Sequence, residues 1–183
     1  MNCLVETKKE YTFQLINILT PIIDTGIRSL YDTAVQHSKT EGLKQFQHFL
    51  KVIPAWQSEL LDIEVKRIFV ESPIGKQIED LFRVVMKTNM MILTGTTHEK
   101  RNKLKYPDTI TFSKFIHKLY IKVAEDCYVN PYIYHNIGNL DDVQICKNKN
   151  EANRIIETSI EKTIRDLLPL SFVLEKYLSP DTE

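Results

Sequence analysis

From Phe112 to Cys127 the apolar residues recur at steps of three and four: Phe112, Phe115, Ile116, Leu119, Tyr120, Val123, Ala124 and Cys127. A helix gathers such a set onto one face, because about 3.6 residues complete each turn. The Asn130-Pro131 step closes it, since a residue before proline is pushed out of the helical region. One stripe this regular needs other apolar faces to cover it, and the same spacing recurs along the chain. It runs from Tyr11 to Ser38 through Leu15, Ile16, Leu19, Ile22, Ile23, Ile27, Leu30, Tyr31, Ala34 and Val35. Pro21 lies inside this run, so a kink, or a fresh start capped by Thr20, is expected there.

Two shorter patterns follow: Leu43, Phe46, Phe49, Leu50 and Ile53, then Trp56, Leu60, Ile63 and Ile68. Ser72-Pro73 reads as a helix start, with a hydroxyl to accept from an unpaired N–H and a proline where no N–H is needed. The stripe behind it, Ile74, Ile78, Leu81, Phe82, Val85, Met86, Asn89, Met90 and Leu93, ends at Thr94-Gly95, where glycine can take the left-handed conformation that closes helices. Residues 96–108 lack periodicity and read as an exposed loop, and 132–142 as a connecting loop. A last helix is expected from about Asn150 through Ile155, Ile156, Ile160, Ile164, Leu167 and Leu168, broken by Pro169 before a final turn or two. Five glycines and seven prolines are few for 183 residues, which disfavours turn-rich β architectures. The expected fold is all-α: a single domain over 1–183, an irregular or orthogonal bundle of about six or seven helices. The helices near 11–37, 73–94 and 110–128 are its longest.

Twenty-four basic and twenty-four acidic residues cancel, so no global field draws the protein to nucleic acid or an anionic membrane. The longest apolar stretch, Phe13 to Ile23, is interrupted by Gln14, Asn17, Thr20 and Pro21 and is half what a bilayer requires, which argues against a membrane partner. Three cysteines, Cys3, Cys127 and Cys146, match no disulfide framework or zinc module. The N-terminus lacks a signal-peptide pattern and the chain lacks an N-x-S/T site, which argues against secretion.

One electrostatic asymmetry stands out. From His98 to Lys122, Lys100, Arg101, Lys103, Lys105, Lys114, Lys118 and Lys122 face only Glu99 and Asp108, seven charges against two. A basic loop leading into lysines four apart can track phosphates or dock on an acidic protein; the plainer reading is a solvated loop and the polar face of a helix. Tyr128, Tyr132, Tyr134 and His135 gather around Asn130-Pro131, and such tyrosines either close the end of a core or present anchors to a partner. His117 invites pairing with Cys127, but a thiol on the apolar stripe is protonated and unreactive. Thr97-His98-Glu99-Lys100 lacks the second histidine of a zinc site, Asp141-Asp142 and Glu125-Asp126 read as solvated charges, and no glycine-rich phosphate loop is present. No catalytic residue, metal or cofactor is expected.

The run Phe115-Ile116-His117-Lys118-Leu119-Tyr120-Ile121 with Ala124 and Asn130-Pro131-Tyr132 resembles a family of uncharacterised proteins from nucleocytoplasmic large DNA viruses, the asfarvirus and mimivirus group. Leu19-Thr20-Pro21-Ile22-Ile23, Ser29-Leu30-Tyr31-Asp32, Thr163 to Leu170 and Leu174 to Leu178 fit the same resemblance. It implies a small helical protein made in the cytoplasm of an infected cell, late in infection, with the particle as a second location. It carries no catalytic residues across. The leading expectation is a non-enzymatic viral accessory or structural protein working through contacts with another protein, viral or a second copy of itself. The alternative is a nucleic-acid-associated factor using residues 100–122.

Overall fold

The computed structural model describes residues 2–38, 40–95, 109–135, 141–171 and 174. Among these there are six α-helices and no strands: α1 (Asn2–His37), α2 (Gly42–Val52), α3 (Ser58–Glu71), α4 (Gln77–Leu93), α5 (Phe112–Val129) and α6 (Asp142–Leu167). Two 3-10 turns, Ile53–Ala55 and Pro131–Tyr134, each hold a proline where its missing N–H costs nothing. The fold is the expected all-α bundle. The α1 helix lies against α2, α4 and α6, and α5 lies against α2, α3 and α6, so α2 and α6 bridge the two central helices. One apolar cluster draws on all six, and every residue of the α5 stripe is buried in it.

Several helix limits differ from the spacing-based expectation. The first helix begins nine residues earlier than Tyr11 and runs unbroken through Pro21. Thr20 does not cap a new helix, since its hydroxyl is buried without a hydrogen-bond partner among the described residues. Proline inside a helix costs about 3 kcal/mol. Burying Leu15, Leu19, Ile22 and Ile23 around it, each contributing about 1.5–3 kcal/mol, outweighs that. Ser72-Pro73 starts a turn and not the helix: the Ser72 hydroxyl accepts from the Ile74 N–H, and Gly75 sits at φ +57°, so α4 begins only at Gln77. Gly95, at φ +61°, closes α4 as expected.

Leu60 and Ile63 do not point inward. They are 54% and 64% exposed, while Ile68 is buried and Leu61, Val65 and Phe69 pack beside it. The last helix starts eight residues before Asn150, because the Asp141 carboxylate caps it, accepting from the Gln144 N–H at 2.7 Å. With 26 residues α6 is longer than α4, and so it and not α4 joins α1 and α5 as a principal helix. Every residue from Asp141 to Lys147 is exposed, and Ala152 is the first buried one. Asp141→Ala is therefore expected to cost about 1 kcal/mol locally. It should appear as faster amide exchange over residues 142–148 with the melting temperature unmoved. A drop in melting temperature would mean that the helix start is coupled to the core.

Candidate functional site

Val129 ends α5 because Pro131 follows two residues later, and the chain turns through Pro131–Tyr134. On the other side of this turn α1 gives way to α2 around Thr40-Glu41. Between them lies a groove of about 420 Å³, lined by Tyr31 and Val35 of α1, by Thr40 to Lys44 and Gln47, and by Val129, Pro131, Tyr132 and His135. Its volume falls in the range of ordinary ligand and side-chain pockets, roughly 300–1,000 Å³.

Its walls are fixed by polar contacts between distant segments. The Gln47 amide donates to the Tyr128 carbonyl at 2.8 Å, tying α2 to the end of α5. The Tyr31 hydroxyl and His135 Nδ1 share a hydrogen bond at 3.1 Å on the groove floor, and Tyr31 also packs edge-on against Phe46. On the rim, Val129 is 83% exposed and Tyr132 is 64% exposed, with Tyr132 edge-on to His135. Opposite them Glu41 and Lys44 form a solvated ion pair at 3.1 Å. A rigid aromatic floor, an apolar lip and a polar far wall can hold an aromatic or branched apolar side chain while pairing its backbone.

Tyr134 belongs to the core, the first of the two roles open to the tyrosine cluster. It is fully buried, donates to Asp24 Oδ1 at 2.9 Å and lies under the Arg28 guanidinium. Burial first, and then Cys127, Asp24 and that hydrogen bond, push its phenol up; Arg28 acts the other way. The tyrosine cluster thus divides. Tyr134 closes the core, whereas Tyr132 and the half-exposed Tyr128 face solvent. The Cys127 thiol is pushed up to about 12, first by burial and then by Asp126 and Asp24, and is inert at neutral pH. His117 is not paired with it: its Nε2 bonds the Ile53 carbonyl at 3.0 Å and its ring stacks parallel to Trp56.

A second polar centre joins α1, α3 and α5. Arg67 Nε and Nη2 donate to the two Glu64 oxygens at 2.9 and 2.6 Å, Nη2 also donates to the Ile22 carbonyl, and Nη1 pairs with Glu71 at 2.7 Å. The Tyr120 hydroxyl accepts from Arg67 and donates to Glu64 at 2.5 Å. Burial and the adjacent Glu64 carboxylate hold that phenol well above its usual value, against the opposing pull of Arg67. Burial alone favours a neutral guanidinium at Arg67, and its bonds to Glu64, Tyr120 and Glu71 more than reverse that. The centre pins three helices together, and no sequence signal points to it.

The basic segment is only partly visible. Lys100, Arg101, Lys103 and Lys105 lie outside the described residues, as does the expected loop 96–108. Lys114 is exposed and Lys118 half-buried. Lys122 reaches across to α6, paired with Asp166 at 2.6 Å. Among the described residues no group of three or more His, Cys, Asp or Glu side chains could hold a metal ion, and no helix is long and apolar enough to cross a membrane.

A family model described as "Family of unknown function (DUF5764)" matches residues 1–135. The chain belongs to this family. The matched span takes in α1 to α5 and the turn that follows, so every residue lining the groove lies within the DUF5764 region and α6 lies beyond it. Yet Ile156, Ile160 and Ile164 of α6 enter the same core as the DUF5764 helices. No curated protein and no solved structure matches the chain.

Proposed function

We propose that this chain is a non-enzymatic accessory protein of a large DNA virus that binds another viral protein through the groove between the α1–α2 junction and the turn after α5. The observation that carries the reading is the exposure of Val129 and Tyr132 on the lip of a groove whose floor, Tyr31 and His135, is fixed in place. An exposed valine and tyrosine beside a preformed cleft are the elements from which contact hot spots are built. The partner would present an aromatic or branched apolar side chain to the floor and pair its polar groups with Gln47, Glu41 and Lys44. The viral setting, in the cytoplasm of the infected cell or in the particle, rests on the sequence resemblance. The nucleic-acid alternative has fewer available cations, since Lys122 is engaged with Asp166.

Selection of peptides from a random library on the purified protein, with Val129→Asp/Tyr132→Ala as competitor, tests the groove. Both side chains are mostly exposed, so the variant should fold normally. Peptides with an aromatic or branched anchor that bind the unmodified protein at least about tenfold tighter would support the reading, a difference of about 1.4 kcal/mol. A selection that yields nothing, or peptides indifferent to the variant, would overturn it.

A further inference from the structure

Two helix faces lie bare, and they match each other. The first is the start of α6, which is exposed on all sides over residues 141–147. With about 100° between successive residues, Asp142, Ile145, Cys146 and Lys149 fall on one face of this projecting arm. The second is the outer face of α3, where Glu59, Ile63, Lys66 and Val70 fall together and all four are exposed. The apolar positions are unusually open: Ile145 is 45% exposed, Ile63 64% and Val70 85%. Asp142, Lys149, Glu59 and Lys66 have no ion-pair partner among the described residues, and neither has Asp62 at the edge of the α3 face, whereas Glu64, Arg67 and Glu71 of α3 pair among themselves.

We propose that the arm of one copy docks antiparallel on the outer face of α3 of a second copy, and that the exchange is reciprocal, giving a two-fold dimer. Antiparallel placement sets Asp142 against Lys66, Ile145 and Cys146 against Ile63, and Lys149 against Glu59. One register satisfies all three layers. Parallel placement in the corresponding register sets Asp142 against Glu59 and Lys149 against Lys66, so like charges reject it. Charge thus specifies both direction and register, which is what complementary charges at interfaces do best. A single helix pair of this length is a small contact, and two-fold reciprocity doubles it because the same patches serve both subunits. The surface is separate from the groove, so self-association and partner binding are independent.

Light scattering on the full chain over a concentration series is the first experiment, with circular dichroism on each variant to verify folding. The unmodified protein is expected to dimerise, and more weakly as salt rises. Lys66→Glu and Asp142→Lys should each raise the dissociation constant at least about tenfold. Their combination, which restores opposite charges across the contact, should recover the dimer. A protein that is monomeric at every concentration, a ladder of growing oligomers, or a double variant no better than the singles would overturn the proposal.

Geometry is read independently by a cross-link. In a Cys3→Ser background, Ile63→Cys should give a disulfide-linked dimer with Cys146 under oxidised glutathione, and Cys146→Ser should abolish it. A yield unaffected by Cys146→Ser would refute the antiparallel register.

Discussion

Gly26→Ala is expected to lower stability by about 2 to 4 kcal/mol, although at an ordinary helix position alanine would raise it by about 1 kcal/mol. The reason is a close approach. A β-carbon at Gly26 would sit 2.1 Å from the Tyr120 hydroxyl and 2.8 Å from Arg67 Nη2. Tyr120 cannot yield cheaply, since it is 1% exposed and its ring lies 5.2 Å from that of Trp56. Overpacking of this kind costs about 1–3 kcal/mol. Displacing the phenol unmakes its bonds to Glu64 and Arg67, and a buried polar group left unpaired costs a further 1–3 kcal/mol or so. Together these exceed the propensity gain.

The corresponding fall in melting temperature is roughly 5 to 15 °C for a chain of this length. Tyr120→Phe removes the atom at 2.1 Å, leaving the ring carbon at 3.2 Å and the guanidinium. The penalty of Gly26→Ala should therefore shrink by about 1 kcal/mol or more in that background, a coupling measurable by a double-mutant cycle. A Gly26→Ala protein as stable as its parent, or more so, would mean that α1, α3 and α5 are not pinned together at this point.

That pin marks where sequence reading stops. The α5 stripe was legible because its eight apolar residues obey one periodicity, and all eight are buried. On α3 two apolar sets compete, Leu60 with Ile63 and Leu61 with Val65, and spacing alone could not say which faces the core. The inward set wins where Arg67, one turn from Ile63, bonds Ile22 and Tyr120, and that orientation depends on residues 45 and 53 positions away. The start of α6 was missed for a different reason. Its first turns bury nothing, so no apolar stripe announces them, and the capping aspartate Asp141 looks in the sequence like any solvated charge. At the groove, the tyrosines were visible as a cluster, but Tyr31, Gln47 and Val129 join them only through the packing of α1 and α2 against the end of α5. Periodicity can report which face of a helix is apolar. It cannot report which ends of different helices meet.

Alkali should unfold the protein steeply, and the groups responsible are Cys127, Tyr120 and Tyr134. In each, burial is the leading cause that raises the pKa, so the unfolded chain loses the proton first. Stability is then intact below the ordinary thiol value of 9.0 and falls as pH rises above it, with the two phenols joining above 10.0. Each group contributes a slope of about 1.4 kcal/mol per pH unit. Above pH 10 or so the three together remove about 4 kcal/mol per unit. Against a typical domain stability of about 5–15 kcal/mol, the midpoint should fall near pH 11 to 12 or shortly beyond. Tyrosinate absorbance followed beside far-ultraviolet circular dichroism checks this. Tyr120 and Tyr134 should ionise only as the helices melt. Tyr134→Phe leaves Asp24 without its donor and should lower stability near neutral pH by about 1 kcal/mol, yet it should also flatten the alkaline slope by about a third. Tyr132→Phe, at a side chain 64% exposed, should leave stability near neutral pH unchanged. If every tyrosine ionised near pH 10 while the helices stayed intact, Tyr120 and Tyr134 would be reachable by water, and neither phenol would be locked into its carboxylate.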